Sequence, residues 1–456
     1  MSEWFIQRFS DYAHRPFLAQ GEAIHSYSKL AETINEYCAH FTEQGIQAGD
    51  VVTLETDYSI SAIAALFALF KLKTIVAPIA TTLSAELKLR HTATNAKWSI
   101  RPNPEVVLCE CILHKNTASP HDIVQQLTTA GRSGLILFSS GSTGTPKAMV
   151  HDVDRLLHPF AKKRPRQHRI LLFLLFDHIG GLNTLFNGLA SGALIVAPSA
   201  KDANAIGESI QNHKVTLLPT SPTFLNLFLI SGAHKNFDLS SLRFITYGTE
   251  PMPESLLLRL KAALPKVSFI QTFGTSETGI SQTVSRSSQS TQIKIDDPNT
   301  EFKIVENELW LRSKSQIMGY LNHDMSRFTA DGWFKTGDMV EQSTDGFLKI
   351  IGRKEDMINV GGEKATPSEI ESVLLEIPEV ADCLVYGEQN AITGQNVAAE
   401  IVPKAGCDSK TLKRKIKQHC RKVLSPHKVP ARITFTSKTT FTNRYKKSRI
   451  SKTPPQ

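Results

Sequence analysis

The segment that most narrows the fold is a strand-like run, Leu135 to Phe138, that passes directly into Ser139-Ser140-Gly141-Ser142-Thr143-Gly144-Thr145-Pro146-Lys147. A buried strand ending in small hydroxyl residues and glycines lets backbone N–H groups and hydroxyls close around phosphate oxygens. Lys147 adds a point charge to that cradle. The loop is not a Walker A loop, which sets Gly-Lys-Ser/Thr after four spacer residues. Here Pro146 precedes the lysine and Ala148 follows it. A flexible Ser/Gly linker is the alternative, but linkers rarely follow a buried strand and end in Pro-Lys.

Around this loop the chain alternates helical and strand-like segments. Leu30 to Gln44 reads as a helix ending at Gly45, Asp50 to Glu55 as a strand, Ser59 to Lys71 as a helix and Thr74 to Pro78 as a strand. Later, Gly192 to Pro198 and Thr216 to Leu218 read as strands flanking a helix from Asn204 to His213. Such alternation predicts α/β layers with mostly parallel strands. From about Glu301 the pattern turns strand-rich, with Phe302 to Val305, Glu308 to Arg312 and Phe347 to Ile351. After the charged stretch Arg353-Lys354-Glu355-Asp356, a compact α+β pattern follows: a helix from Pro367 to Glu376, a strand from Asp382 to Tyr386 and a basic helix from Ser409 to Val423. The expected fold class is therefore α/β, with a large N-terminal domain of layered α/β subdomains and a small β-rich part (residues 1–354), then a small α+β C-terminal domain (residues 355–456). A chain of 456 residues is long enough for this division. Ser451 to Gln456 is expected to be disordered.

Composition excludes several classes. The longest apolar runs, Ile60 to Phe70 and Ile170 to Phe176, fall short of the roughly 18 residues of a membrane span and read as a buried helix and a buried strand. No signal peptide is visible at Met1-Ser2-Glu3-Trp4. The six cysteines form no Cys-x-x-Cys pair and no regular framework, so neither a structural zinc site nor a disulfide scaffold is expected. Reduced thiols in a cytoplasmic enzyme fit best. The net charge of +9 gathers near the end, in Lys413, Arg414, Lys415, Lys417, Arg421 and Lys422 and beyond. A solvated helix face, a nucleic-acid site, or a surface for a phosphate-bearing cosubstrate or an acidic carrier protein are the three readings of that charge.

Four further segments follow the loop. They are Gln271-Thr-Phe-Gly-Thr-Ser-Glu-Thr-Gly279, Glu308-Leu-Trp-Leu-Arg312 with Gly319-Tyr320, Gly332-Trp-Phe-Lys-Thr-Gly-Asp338, and Gly352-Arg353 followed by Asn359-Val-Gly-Gly-Glu363. With the loop, they resemble in order the motifs of the adenylate-forming superfamily: acyl- and aryl-CoA ligases, luciferase-like enzymes and peptide-synthetase adenylation domains. The resemblance covers nearly the whole chain.

It implies ATP-dependent activation of a small-molecule carboxylic acid as acyl-AMP, then transfer to a thiol. CoA is the first expectation, and a carrier-protein phosphopantetheine loaded by a free-standing adenylation enzyme is the alternative. ATP and Mg²⁺ are the implied cofactors, Glu277 being the hard carboxylate suited to the metal. Ser139, Ser140, Gly141, Ser142, Thr143, Gly144 and Lys147 would cradle phosphate. Gly248, Thr249, Glu250, Thr272, Phe273, Gly274 and Ser276 would line the nucleotide pocket, Phe273 by stacking near adenine. Asp338 would accept the ribose hydroxyls, and Arg353 would donate to the same ribose or a phosphate.

In Asp177-His178-Ile-Gly-Gly181 the histidine would line the acid pocket and gate the thiol or polarise the acid. In another register Asp177 would hold the ammonium of an amino-acid substrate. Phe224 and Tyr247 are expected near the same pocket. In Thr442-Asn-Arg-Tyr-Lys446-Lys-Ser-Arg449 the resemblance assigns Lys446 to the α-phosphate and the substrate carboxylate, with Lys447 as its neighbour and rival. Glu355 would be the hinge of a mobile C-terminal lid, and Gly361 and Gly362 would line the thiol tunnel. Two departures from the pattern stand out: Tyr445 replaces a glycine, and Asn307 occupies a position where glycine is common. Readings of another class are a nucleotide-binding regulator without turnover and a basic nucleic-acid-binding protein; the second leaves the ordered motifs unexplained.

Overall fold

In the computed structural model, residues 3–103, 109–114, 119–139, 146–437 and Lys447 are described. Among the described residues a large N-terminal domain carries three large sheets and one two-stranded hairpin, and a smaller C-terminal domain carries a five-stranded sheet. The first sheet runs Ser268–Gln271, Phe244–Tyr247, Leu217–Thr220, Arg169–Leu171, Leu194–Ala197, Pro16–Gln20 and Ala23–Ser26. All of its neighbours are parallel except the last pair.

The second sheet has a parallel centre of Gly134–Ser139, Ile75–Ile79, Val51–Glu55 and Trp98–Pro102. Its flanks are antiparallel: Lys147–Asp152 and then Gly319–Tyr320 on one side, Cys109–Leu113 on the other. A six-stranded antiparallel sheet follows, from Thr283–Ser285 to Thr300–Val305. The alternating pattern thus delivers the parallel layers, and the strand-rich stretch from Glu301 delivers an antiparallel sheet.

Local chemistry explains the elements. The helix Ile60–Lys71 starts where the Ser59 hydroxyl accepts from the Ala62 N–H. It is apolar all round, and every side chain from Ile60 to Phe70 is buried, as a helix of that composition must be. Phe67 there packs against Phe5, Phe9 and Phe186, joining the N-terminal helix to Ile179–Ser191. Among the described residues no helix is long and apolar enough to cross a membrane.

One expected strand is shorter than its apolar run. Only Arg169–Leu171 is strand, although Leu172, Phe173 and Phe176 are buried. The chain leaves the sheet there and turns into the Asp177-His178 loop, so burial in that run comes from packing in the large domain's cores rather than from strand pairing. The tail Ser451–Gln456 lies outside the described residues.

Asn307 resolves one departure. Glu306 and Asn307 both have positive φ, +51° and +63°, in the two-residue turn that pairs Val305 with Glu308. Such a turn needs two left-handed residues, and asparagine tolerates that conformation best after glycine.

In the C-terminal domain, Gly394–Pro403 pairs with Val380–Asn390, Ile358–Val360 and Arg432–Phe435. The helices Pro367–Leu375 and Ser409–Val423 pack on this sheet through Ile370, Leu374, Leu412 and Ile416. The basic helix buries only Leu412, Ile416 and Cys420 and turns its lysines and arginines outward.

Glu55 ends a central strand of the second sheet. Burial alone would raise its carboxyl, but hydrogen bonds from His91 at 2.7 Å and Arg101 at 2.8 Å outweigh it and hold it at about 2, against an ordinary 4.5. Because the folded value lies below the unfolded one, this stabilisation is full above pH 4.5 and is lost as the pH falls towards 2. Urea denaturation between these values should show a steeper loss of stability in the wild type than in Glu55→Gln.

Candidate active site

The phosphate-type loop joins a β-hairpin. Ser139 and Lys147 face each other as its last register pair, between Gly134–Ser139 and Lys147–Asp152. Ser140, Gly141, Ser142, Thr143, Gly144 and Thr145 lie outside the described residues. Where the loop re-enters the sheet, Asn322 clamps it: its amide nitrogen donates to the Pro146 carbonyl at 2.8 Å, and its amide oxygen accepts from the Ala148 N–H at 2.9 Å. Nothing in the sequence around Asn322 marked it for this position.

The clamp belongs to a longer seam. Met318 N–H donates to the Val150 carbonyl and Leu321 N–H to the Ala148 carbonyl, at 2.7 and 2.9 Å. Upstream, Ile317 N–H donates to the Glu277 carbonyl at 2.8 Å, and the Tyr320 hydroxyl donates to the Glu277 carboxylate at 3.3 Å. Burial, with the neighbouring Glu277 charge, raises the Tyr320 phenol well above its ordinary value, so it stays a donor. Glu277, the loop end and Lys147 are thereby gathered along one strand.

Glu277 itself sits in the turn Ser276–Thr278 between the short strands Phe273–Thr275 and Gly279–Ser281. This hairpin is tight. A Cβ on Gly274 would lie 2.4 Å from the Gly279 carbonyl oxygen, and Gly279 has φ +79°. The His151 ring lies against the backbone of Ser276 and Ser315; burial pushes it down to about 4, which keeps it neutral behind the turn.

Phe273 opens the first strand of this hairpin. Its side chain is 7% exposed and packs in the core of the antiparallel sheet with Ile293, Leu309 and Leu348. Its neighbour Thr272 is fixed by an N–H bond to the Tyr247 carbonyl at 2.8 Å. Gly248 is required there, because a Cβ would meet the Thr272 hydroxyl at 2.7 Å. Thr249 follows in a left-handed conformation with φ +74°, and Glu250 accepts from the Thr223 N–H at 2.7 Å. Burial raises the Glu250 carboxyl.

Asp338 and Arg353 are register partners on adjacent strands, Phe334–Gln342 and Leu348–Arg353. The Arg353 Nε lies 2.8 Å from the buried Asp338 carboxylate, and this charge raises the guanidinium further. Glu355 is exposed in the single turn Lys354–Asp356, which carries the chain from the antiparallel sheet into the C-terminal domain. Gly361 and Gly362, with φ +62° and +93°, form the two-residue turn between Ile358–Val360 and Glu363–Ala365. That turn type by itself demands two left-handed residues, independently of any tunnel.

His178 is half-buried at the start of the helix Ile179–Ser191. Beside it, Asp177 is buried and engaged: its carboxylate lies 2.5 Å from the Arg90 guanidinium and accepts from the Ala80 N–H at 3.3 Å. Arg90, 5% exposed, also pairs with Glu86 and stacks over Phe138 at the base of the phosphate hairpin. Sequence reasoning missed Arg90, which reads there as one more charge on a surface helix. Phe224 and Tyr247 are both buried in the core behind the first sheet, Phe224 against Phe173.

Lys446 lies outside the described residues, but Lys447 does not. Its side chain is 8% exposed; the ammonium donates to the Cys383 carbonyl at 2.6 Å and lies 3.4 and 3.6 Å from the Glu371 and Asp382 carboxylates. Its backbone N–H reaches Glu250 at 3.4 Å. The ammonium is thus held within the C-terminal domain, while its backbone touches the large domain. That engagement opposes the rival assignment of Lys447 to the α-phosphate.

Arg90→Ala would leave a buried carboxylate without its cation, a change that costs about 3–5 kcal/mol. Chemical denaturation should register that loss, and an unchanged midpoint would mean that Asp177 does not depend on Arg90.

The AMP-binding enzyme family matches residues 5–321, and the AMP-binding enzyme C-terminal domain matches residues 369–445. The 2-succinylbenzoate–CoA ligase of Bacillus licheniformis is 26% identical over 95% of both chains. The indoleacetate–CoA ligase of Aromatoleum aromaticum is 32% identical over 60% of this chain. The chain covers 58% of that second relative's length. Among solved structures, o-succinylbenzoate CoA synthetase from Bacillus subtilis with its acyl-adenylate intermediate superposes with a TM-score of 0.80 at 21% identity, covering 100% of this chain and 99% of that one. An anthranilate CoA ligase with anthranoyl-AMP gives 0.81 at 21% identity, covering 97% and 95%. The two family matches, lying either side of the turn at Lys354–Asp356, show that this chain belongs to the AMP-binding enzyme family.

Proposed function

We propose that the chain is an AMP-forming acid:CoA ligase that activates a small-molecule carboxylic acid with ATP and passes the acyl group to the thiol of CoA. The observation that carries this reading is the seam from Ile317 to Asn322, which joins the Glu277 hairpin to the Lys147 strand. A carboxylate, a lysine and the mouth of a phosphate-type loop then share one edge of a sheet, as phosphoryl chemistry requires of fixed charges.

In the first half-reaction an oxygen of the acid attacks the α-phosphorus of ATP, and the bond to pyrophosphate breaks. Lys147 and the loop Ser139–Thr145 hold the leaving phosphates, and Lys446 neutralises the α-phosphate and the incoming carboxylate. Glu277 is a hard oxygen donor already oriented by Tyr320, and it fits Mg²⁺, which when bound would neutralise ATP phosphate charge. Asp338, oriented by Arg353, accepts the ribose hydroxyls. In the second half-reaction the thiol sulfur attacks the acyl carbon, AMP leaves, and the thiol proton passes to solvent. Residues 1–354 form the large unit and 355–456 the lid, which turns about Glu355 to exchange Lys446 for the thiol arm beside Gly361 and Gly362.

The engagement of Asp177 by Arg90 favours an acid without an ammonium group over an amino acid. The names of the relatives favour an aromatic or arylalkyl acid. They also favour CoA over a carrier protein, and the exposed basic face of Ser409–Val423 suits CoA phosphates. Six free cysteines suit a cytoplasmic setting.

Acid-dependent exchange of pyrophosphate into ATP tests the first step across a panel of aryl, arylalkyl and fatty acids; no exchange with any acid sinks the ligase reading. Lys147→Ala and Lys446→Ala should each lower exchange by about 100-fold, the scale of losing one transition-state charge contact. A normal rate in Lys446→Ala with an inactive, folded Lys447→Ala would move the role to Lys447. Purified protein offered CoA and, separately, a phosphopantetheinylated carrier should form thioester with CoA. Thioester on the carrier alone would reassign the acceptor.

A further inference from the structure

Three soft ligands meet far from the proposed ATP site. Cys109 and Cys111 stand on the outer strand Cys109–Leu113 of the second sheet, and His40 lies in the last turn of the helix Tyr27–Glu43. The two sulfurs are 3.4 Å apart, and the Cys111 sulfur is 4.0 Å from His40 Nε2. One ligand atom from each of the three residues lies within 4.8 Å of the others, and all three residues are half-buried. The outer strand is four places from Gly134–Ser139 in the sheet order, which at about 4.8 Å per strand is roughly 19 Å.

We propose that His40, Cys109 and Cys111 form a binding site for one thiophilic d¹⁰ cation, Zn²⁺ being the first choice, which fastens the outer strand to the helix. Around a tetrahedral zinc with bonds of about 2.3 Å to sulfur and 2.0–2.1 Å to nitrogen, sulfurs lie about 3.8 Å apart and sulfur and nitrogen about 3.6 Å apart. The observed 3.4 and 4.0 Å straddle those spans and the remaining pair, Cys109 with His40, lies within 4.8 Å, so side-chain rotations of up to about an ångström complete the geometry. Glu110 points to the opposite face of the strand, where it pairs with Arg101, and so is not a fourth ligand.

The backbone opposes the competing chemistry. Cys109 and Cys111 pair in unbroken antiparallel register with Pro102 and Ile100. Residues two apart on an extended strand are separated by about 6.6–6.8 Å along the chain, whereas a disulfide needs Cβ atoms about 3.8 Å apart. Their side chains therefore converge on a shared ion more readily than on each other. The Cys-x-Cys spacing escapes a search for Cys-x-x-Cys pairs, and only the fold brings His40, more than sixty residues earlier, to meet it. The proposed site departs from the sequence-based expectation of no structural zinc site.

The test uses the full chain, reduced and stripped with a chelator, and Zn²⁺ alone as the probe. One equivalent of Zn²⁺ should bind per chain and should protect Cys109 and Cys111, but not Cys38, from iodoacetamide, as read by peptide mass spectrometry. Cys111→Ser and His40→Ala should each abolish that equivalent. Protection in the wild type decides the matter even if a variant fails to fold. No stoichiometric uptake by the wild type, uptake that survives in both folded variants, or alkylation of Cys109 and Cys111 unchanged by Zn²⁺ would each overturn the site.

Discussion

A six-residue backbone seam, Ile317 to Asn322, holds the candidate active site of this protein together. Its hydrogen bonds run to Glu277 at one end and to Val150, Ala148 and Pro146 at the other. Each contributes about 0.5–1.5 kcal/mol net, a modest amount beside the geometric effect. The Glu277 hairpin and the phosphate-type loop belong to segments more than a hundred residues apart. Together with the His151 ring against the Ser276 backbone, the seam fixes the distance between them. With it, the tight hairpin at Gly274 and Gly279 sets where Glu277 points, and Tyr320 sets how its carboxylate turns.

Buried charge settles the adjoining regions. Arg90 satisfies Asp177, stacks on Phe138 and so links the loop before His178 to the strand that leads into the phosphate-type loop. Lys447 does comparable work in the C-terminal domain, where Glu371 and Asp382 surround its ammonium while its backbone meets Glu250 of the large domain. Buried ion pairs of this kind add little net stability over apolar packing, yet removing one partner is expensive. They therefore specify arrangement more than they add to stability. That suits a protein whose two domains meet at contacts such as Asn226 with Ala381 and Ser255 with Ser372, and join through one exposed turn.

Much of this was legible beforehand. The buried helix at Ile60, the parallel strands around Gly134–Ser139, the antiparallel stretch after Glu301 and the basic helix Ser409–Val423 follow from periodicity and punctuation. Asp338 and Arg353 were paired by motif, and register makes them neighbours. The failures have physical causes. The apolar run after Ile170 reads as strand because hydrophobicity reports burial rather than hydrogen bonding. Arg90, Asn322 and His40 carry no local signal, since their partners lie far away in the chain.

The sequence by itself determined the order of layers, the phosphate-type loop and the family of chemistry, because these rest on short-range patterns: alternation, glycine placement and motifs of a few residues. Only the tertiary structure decided which charges are engaged and which sulfurs and nitrogens share a point in space. It set Asp177 against Arg90, folded Lys447 inward and brought His40 to Cys109 and Cys111. Coulombic pairing and metal ligation act over a few ångströms, and a chain reveals such distances only once its distant segments have packed.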